Sequence, residues 1–333
     1  MDALSEVLKA VKLDSAFFFN AEFSAPWCFQ SPNSGKLAPY INQSSGHVIV
    51  YHLLIEGRAY GRLGDERLEI LPGDVLIFPH GDSHNVESGA CQSAVNGEGE
   101  LRRIFSQGLK LSRMGGGGEA ARFVCGYMVC ERSLSQVFLA GLPAMFKVNI
   151  RQDDSGRWLE GSIRYSIADP NTSGAGAEAV LARLCETLFI ETLRRYMRRL
   201  PAGQTGWLAG ARDAEIGRVL ALMHQQPAAS WTIATLAHEV GISRAVLAER
   251  FRQYLGEPPL AYLTRWRLQL GAQMLSTTSQ SVAQIASKVG YDSEPAFNRA
   301  FKRTFGHPPA RYRNETRPKP SRSKTAHGLD SVM

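Results

Sequence analysis

The chain has 333 residues and an ordinary globular composition, with 44% hydrophobic and 21% charged residues. This length exceeds what one hydrophobic core usually organises, so two domains are expected. No apolar run approaches the roughly 18 residues of a membrane-spanning helix, and five cysteines in a chain of this size do not indicate a disulfide scaffold. We therefore expect a cytoplasmic protein with no membrane partner.

The net charge of +7 is distributed unevenly. Residues 211–333 contain 17 Lys/Arg and 9 Asp/Glu, a net charge of +8. Residues 1–210 contain 21 Lys/Arg and 22 Asp/Glu, a net charge of −1. Positive charge concentrated in one part of a chain indicates a polyanionic partner such as DNA. A solvated surface without a partner would explain the charge equally well, so the assignment depends on motifs.

An amphipathic helix is predicted at residues 1–13, because four apolar residues fall on one face. From Ala16 the pattern changes to short apolar or alternating runs, which Gly, Pro, Asn and Asp interrupt. The clearest runs are residues 47–63, 66–71 and 74–79. Short strands at this spacing are typical of an all-β barrel or sandwich.

One of these strands is flanked by a spaced motif. Gly73, Pro79, Gly81 and His84 stand as G-x5-P-x-G-x2-H. This spacing resembles the second signature of the cupin β-barrel, in which the histidine projects from a strand into the barrel. The resemblance implies that residues 1–200 form a cupin-like domain for ligand sensing and dimerisation.

The first cupin signature is matched less completely. Val50 stands where the family has its first histidine, while His52 and Glu56 are retained. Residues i and i+4 of a strand share a face, so His52 and Glu56 can point together. The cupin resemblance implies that His84 joins them. Two histidines and a carboxylate suit Fe, Mn or Zn. Because one family ligand is missing, we predict that these side chains pair by hydrogen bond or contact an organic ligand, with no cofactor, and keep metal binding as the alternative.

Two cysteines lie in a further predicted strand at residues 123–131. Strand parity places Cys125 and Cys130 on opposite faces, and no second pair completes a metal site. Buried, unreactive thiols are therefore expected. A redox-sensing role, which needs an exposed thiolate, is kept as an alternative.

A strongly amphipathic helix is predicted at residues 177–200, with Leu181, Leu184 and Leu188 on its apolar face. This face either packs on the barrel or forms the seam of a homodimer, and the pattern does not separate the two. Two other segments are interpreted as linkers from their composition: Gly115–Gly118 and the interdomain residues 201–212.

The C-terminal part contains a duplicated unit. Residues 236–262 and 285–312 share apolar, glycine, proline and aromatic positions, at an offset of 49 residues before the central turn and 50 after it. Phe251, Gly256 and Tyr262 recur as Phe301, Gly306 and Tyr312. A gap confined to a turn marks a repeated supersecondary unit, and each copy predicts a short helix, a glycine turn and a longer helix.

Capping residues delimit these helices. Ser243 and Ser293 are the expected N-caps of the two longer helices, and Gly241 and Gly290 supply the turns before them. A connecting helix is predicted from Pro259 to about residue 275. The pattern is that of two helix-turn-helix units joined by one helix.

The second unit, IASKVGYDSEPAFNRAFKRTFGHPPARYR, resembles the signature of the AraC/XylS family of bacterial transcription regulators. The resemblance covers residues 213–314 and implies a DNA-binding domain of seven helices. Two recognition helices would enter successive major grooves, about 34 Å apart. A cupin-type sensor domain upstream is similar to one subgroup of this family.

The expected fold class is therefore α+β with two domains. A cupin-like β-barrel with flanking helices precedes an all-α double helix-turn-helix. Residues 315–333 lack apolar periodicity and are rich in Pro, Ser and charge, which predicts a disordered basic tail.

Carried over position by position, the resemblance implies which residues contact DNA. The base-reading positions are Arg244, Ala245, Ala248 and Glu249 in the first recognition helix, and Glu294, Pro295, Asn298 and Arg299 in the second. The phosphate-binding positions are Arg250, Arg252, Lys302 and Arg303. Alanine offers only methyl contacts whereas Asn and Arg make polar base contacts, so the two copies are expected to read different half-sites.

The leading hypothesis is a sequence-specific transcription regulator, not an enzyme, which a signal at the barrel controls. The resemblance implies double-stranded DNA, RNA polymerase and a small-molecule effector as partners, with activation as the mode of control and a homodimer as a possible assembly. The residues themselves do not separate activation from repression. One alternative is a cupin metalloenzyme with an accessory DNA-binding tail, and another is a cysteine-based redox-sensing regulator.

Overall fold

The computed structural model describes residues 2–11, 14–40, 46–89, 95–100, 110–131, 141–168 and 176–316, together with positions 103, 137 and 139. An N-terminal domain contains all the described β-strands, and a C-terminal domain is helical. The predicted division into a β-rich and an all-α part is confirmed.

The β-strands form two sheets. Their bounds are β1 Asp14–Ser24, β2 Trp27–Ser31, β3 Gly46–Glu56, β4 Ala59–Leu63, β5 Glu66–Ile70, β6 Asp74–Phe78, β7 His84–Ser88, β8 Val95–Asn96, β9 Ser112–Gly115, β10 Ala120–Glu131 and β11 Phe146–Asn149. One sheet has the order β11-β6-β3-β10-β1-β9 and the other β5-β4-β7-β2-β8.

The sheets face each other without closing into the barrel that the sequence predicted. The chain passes from one sheet to the other at the corner between β1 and β2, where Pro26 has no N–H to continue a ladder. The segment Gly115–Gly118 is not a linker, because the N–H groups of Gly116 and Gly118 donate to carbonyl oxygens of this corner at 2.7 and 2.8 Å.

Strand β3 is buried on both faces. Val50 and Leu54 point between the two sheets, whereas Tyr51 and Leu53 point outward into a second core beneath the helices. This double burial explains why β3 reads as a nearly continuous apolar run rather than an alternating one. It also places His52, which shares a face with Val50, between the sheets.

The helices of the N-terminal part and the segment after it are α1 Ala3–Val11, α2 Ser34–Leu37, α3 Asp154–Ala168, α4 Ala177–Arg199 and α5 Trp207–Arg212. Helix α4 buries Leu181 and Leu188 in the outer core, and the ring centroid of Tyr196 lies 4.5 Å from that of Phe146 in β11. The apolar face of α4 therefore packs on the sheet. Helix α5 occupies half of the segment predicted as an interdomain linker.

The C-terminal domain has the seven helices that the family resemblance implies. They are α6 Ala214–Gln225, α7 Ile233–Val240, α8 Arg244–Leu255, α9 Pro259–Thr277, α10 Val282–Lys288, α11 Glu294–Phe305 and α12 Pro309–Thr316. Helices α7 and α8 form the first helix-turn-helix, and α10 and α11 the second. The first two residues of the predicted disordered tail, 315 and 316, belong to α12 instead, and the rest of the tail lies outside the described residues.

Helix α9 belongs to the cores of both units. Tyr262 and Trp266 pack with the first unit, whereas Ala272 and Leu275 pack with the second. The repeat is visible in matching aromatic pairs. The ring centroids of Phe251 and Tyr262 are 5.6 Å apart in the first copy, and those of Phe301 and Tyr312 are 5.3 Å apart in the second, both edge to face.

Helix α1 connects the two domains. Its apolar residues Leu4, Val7 and Val11 pack mainly against α6, so it contacts the helical domain. In addition, the side-chain amide of Gln273 in α9 donates to the carbonyl oxygen of Ala10 at 2.7 Å. The outer core of the sheet, α1 and the first helix-turn-helix thus form one continuous apolar cluster.

Candidate nucleic-acid interface and ligand cavity

The first recognition helix, α8, is fixed by a glycine turn and a serine cap. Gly241 ends α7 in the left-handed region with φ +72°, and the Ser243 hydroxyl accepts a hydrogen bond from the N–H of Val246 at 3.2 Å. Leu247 and Phe251 are fully buried. The residues on the outward face are Arg244, Ala245 and Glu249, which are exposed, and Ala248, which is half-buried.

The second recognition helix, α11, repeats this construction. Gly290 has φ +88°, and the Ser293 hydroxyl accepts from the N–H of Ala296 at 3.4 Å. Phe297 and Phe301 are fully buried. The outward face carries Glu294, Pro295 and Arg299, which are exposed, and Asn298, which is half-buried. The structure thus places all eight base-reading candidates on the outward faces of the two longer helices.

Of the four phosphate-binding candidates, Arg252, Lys302 and Arg303 are exposed. Arg250 instead forms ion pairs with Asp213 at 2.5 Å and Glu215 at 3.1 Å. Burial alone would raise the pKa of Asp213, but hydrogen bonds from the Ile216 N–H and the Arg250 guanidinium outweigh it and lower the pKa. Because Asp213 is the N-cap of α6, Arg250 ties α8 to the start of that helix.

A cavity opens between the two sheets of the N-terminal domain. Its volume, measured as the space open to the centre of a water molecule, is about 70 Å³. The lining consists of Phe19, Phe23, Phe29, Ser31, Pro32, Leu37, Val50, His52, Val86, Phe123, Cys125, Gly126 and Tyr127. Of the predicted ligand residues only His52 is among them. Sequence reasoning missed the aromatic wall, although Phe19 and Phe23 alternate at strand spacing within one segment.

His52 and His84 meet as predicted. Their Nε2 atoms are 2.7 Å apart, and the Nδ1 atom of His84 lies 2.7 Å from the carbonyl oxygen of Asp82. Both rings are nearly fully buried, and the His84 ring stacks on Phe78 with centroids 3.4 Å apart. Burial lowers the pKa of His84 to about 4. Burial, together with the neighbouring His84, also holds the pKa of His52 well below its usual value, so both rings are neutral near pH 7.

The hydrogen bonds define the tautomers of this pair. A carbonyl oxygen only accepts, so His84 carries its proton on Nδ1 and accepts at Nε2. His52 must then donate from Nε2, which leaves its Nδ1 atom as an unprotonated acceptor. This Nδ1 atom is buried and has no hydrogen-bond partner among the described residues.

Glu56 does not join the two histidines, and the predicted set of two histidines and a carboxylate does not form. Its carboxylate is half exposed and forms an ion pair with Arg164 at 2.8 Å. The register of β3 against β10 shifts next to this residue, so Leu54 and Glu56 oppose adjacent residues of β10. Such a bulge breaks the strand periodicity on which the prediction depended. Among the described residues no cluster of three His, Cys, Asp or Glu is placed to hold a metal ion.

The free cysteines of the described region are Cys125, Cys130 and Cys185. Burial raises the pKa of the Cys125 and Cys185 thiols, and Cys130 is buried on the opposite face of β10 from Cys125. Cys28 is disulfide-bonded, which sequence reasoning did not anticipate, and its partner is not among the described residues. None of the free thiols offers the exposed thiolate that a redox sensor requires.

No helix in the described part of the chain is both long and apolar enough to cross a membrane.

Comparison with known proteins matches both domains. A cupin family model matches residues 2–198, and a helix-turn-helix domain model matches residues 236–315. The HTH-type transcriptional regulator AlkR of Acinetobacter baylyi is 26% identical over 322 residues, which cover 95% of this chain and 100% of that protein. An AraC-like transcription regulator of Streptomyces lividans is 32% identical over 252 residues, covering 75% and 80%. The RCS-specific HTH-type transcriptional activator RclR of Escherichia coli is 28% identical over 320 residues, covering 95% and 99%.

Proposed function

Because the chain belongs to the AraC family of DNA-binding transcription regulators and carries a cupin-like N-terminal domain, we propose that it reads a specific operator through α8 and α11 and that a small molecule bound between the two sheets controls this binding. Its relatives are named as transcriptional regulators, which supports a role in regulation rather than catalysis.

The proposal rests on one observation. The two helices that carry the exposed base-reading candidates, α8 and α11, belong to units whose cores share helix α9. At 1.5 Å per residue, the 19 residues of α9 span about 28 Å. This length is close to the spacing of about 34 Å between successive major grooves on one face of the duplex. Both helix-turn-helix units use α9 as part of their cores, so their separation is held by packing rather than by a linker.

The chemistry of the two faces supports an unequal division of the operator. Helix α8 presents Ala245, Ala248 and Glu249, which suit thymine methyl groups and the cytosine amino group. Helix α11 presents Asn298 and Arg299, which suit adenine and guanine edges. Exposed Arg252, Lys302 and Arg303 would contact phosphates.

Further partners follow from this role. RNA polymerase would be contacted at an activated promoter, and a second copy of the chain would occupy a second operator half. The exposure of two large aromatic side chains on α3, Trp158 at 67% and Tyr165 at 75%, supports an interaction surface on the N-terminal domain. Sedimentation of the purified protein at micromolar concentration tests the dimer, and a monomer there would contradict it.

Genome-wide DNA capture with the purified protein supplies the operator, and mobility-shift titrations then test the reading face. We expect Arg299→Ala to weaken operator binding by about 1–3 kcal/mol and to relax the preference at one base pair, because a bidentate base contact is lost. Arg113→Ala is the matched control, since Arg113 is an exposed arginine of the N-terminal domain.

The control variant should bind like the wild type. Equal binding of wild type and Arg299→Ala to operator and random DNA would contradict the assigned reading face.

A further inference from the structure

The wall of the cavity is aromatic and apolar. Phenylalanines from three strands converge on it, and Phe23 lies 5.8 Å from Phe29 and 6.1 Å from Phe123 between ring centroids. Phe19 lies 6.2 Å from Phe29. These separations are those of aromatic clusters that accept a further ring by edge or offset stacking.

The described lining of the cavity has no group that would balance a charge. Within the part of the chain that the structure describes, no Asp, Glu, Lys or Arg lines the cavity. Glu87, the carboxylate of β7, lies outside the described lining and is buried and paired with Arg67 at 3.1 Å and Arg62 at 3.6 Å. A charged ligand would therefore lose its hydration without gaining a partner. A ligand with many hydroxyl groups would likewise find too few polar groups on this wall.

One polar atom of the wall is unsatisfied. His52 lines the cavity and His84 does not, and the Nε2 atom of His52 is engaged with His84 at 2.7 Å. The tautomers of the pair leave the Nδ1 atom of His52 as a buried acceptor that no described residue contacts by a hydrogen bond, on a side chain that is 4% exposed. Buried polar atoms are rarely left unpaired, and those that are mark sites that a ligand or water completes.

We propose that the ligand of this cavity is an uncharged, largely apolar molecule with an aromatic body and one hydrogen-bond donor, which the Nδ1 atom of His52 accepts. The inference rests on the proposed function for its regulatory consequence and on the cavity alone for its chemistry. A neutral phenol has the required shape and donor, whereas its methyl ether keeps the body and lacks the donor.

Calorimetric titration of the full-length protein at neutral pH tests this with three matched probes. The probes are 2-naphthol, 2-methoxynaphthalene and 2-naphthoate. We expect the naphthol to bind about tenfold more tightly than the ether, which corresponds to one hydrogen bond. We expect no binding of the naphthoate, because its charge has no partner in the cavity. Tight naphthoate binding, equal binding of naphthol and ether, or no binding of any probe would each overturn the proposal.

Two variants assign the effect to one atom. His52→Phe keeps a planar ring and removes the acceptor, so it should bind the ether as before and lose the preference for the naphthol. His80→Phe is the control, since His80 is a half-buried histidine of the same domain outside the cavity lining. A preference that persists in His52→Phe would overturn the assignment. If that variant does not fold, the relative affinities of the three probes for the wild-type protein still test the proposal.

Operator binding without any probe is measured separately by mobility shift. If the protein binds its operator but none of the probes, only the proposal about the ligand is contradicted. If it binds the probes but no operator, the proposed function is contradicted and the proposal about the cavity stands.

Discussion

His84 makes the protein sensitive to acid at the scale of one residue. Its ring lies against Phe78, and burial lowers its pKa to about 4, whereas the pKa in an unfolded chain is near 6.5. Between these values the unfolded state binds more protons than the folded state, so the free energy of unfolding falls as the pH falls. From His84 alone the loss is about 2 kcal/mol by pH 5. The pKa values of His52 and His224 are also lowered by burial, so both act in the same direction.

Urea unfolding at pH 7.5 and pH 5 measures this loss. His84→Phe should reduce the difference between the two pH values, because the group that gains a proton on unfolding is removed. An unchanged difference in the variant would show that other groups dominate.

Residue contacts could be predicted only where local periodicity or a family resemblance decides them. The meeting of His52 with His84 was implied by the resemblance to two cupin signatures. The outward faces of the recognition helices followed from helical spacing together with the AraC resemblance. Glu56 was placed wrongly because a β-bulge is set by the partner strand, here β10. The ion pair of Arg250 with Asp213 joins residues 37 positions apart, and no spacing rule predicts it.

At the scale of elements, the glycines that end α8 and α11 should lower the stability of the protein when replaced by alanine, whereas a glycine inside a helix should not. Gly256 and Gly306 end α8 and α11 with φ +75° and +79°, and a Cβ at either site would meet nothing within 4 Å. An alanine there costs only backbone strain, about 1 kcal/mol at each site. Gly161→Ala, within α3 and equally unobstructed, should instead stabilise by about 0.5–1 kcal/mol. Thermal unfolding compares the three variants, and a shift of the same sign in all of them would refute the argument.

The helical elements were predictable and the sheets largely were not. Ser243, Ser293 and their preceding glycines encode the helix starts locally, and α8 and α11 begin where the sequence placed them. The parallel pairing of β1 with β9 joins distant segments, and Gly115 packs its backbone against Ser24 for reasons that only this pairing reveals. The segment Gly115–Gly118 was therefore predicted to be a linker, although it packs at the edge of the sheet.

At the scale of the whole molecule, α1 should couple the stability of the two domains. Val7 is fully buried against the helical domain, within the apolar cluster that the outer core of the sheet also shares. Val7→Asp would bury an unpaired charge, so we expect α1 to detach and one cooperative unfolding transition to split into two. Differential scanning calorimetry measures this.

Lys9→Asp, on the exposed side of the same helix, is the control. It breaks the ion pair of Lys9 with Glu6 at 3.0 Å, a surface contact of small energy, and should still show a single transition. A single transition in Val7→Asp would show that the domains are coupled without α1.

The shared helix α9 has a consequence for the promoters that this regulator can serve. Each base pair inserted between two half-sites rotates one of them by about 34° and moves it by about 3.4 Å. Two domains on a flexible tether could follow such an insertion, but two cores built on one helix cannot follow it without losing their own packing. An operator lengthened by one base pair should therefore keep contact with only one recognition helix. Genes under this control would share a fixed operator length even where their base sequences differ.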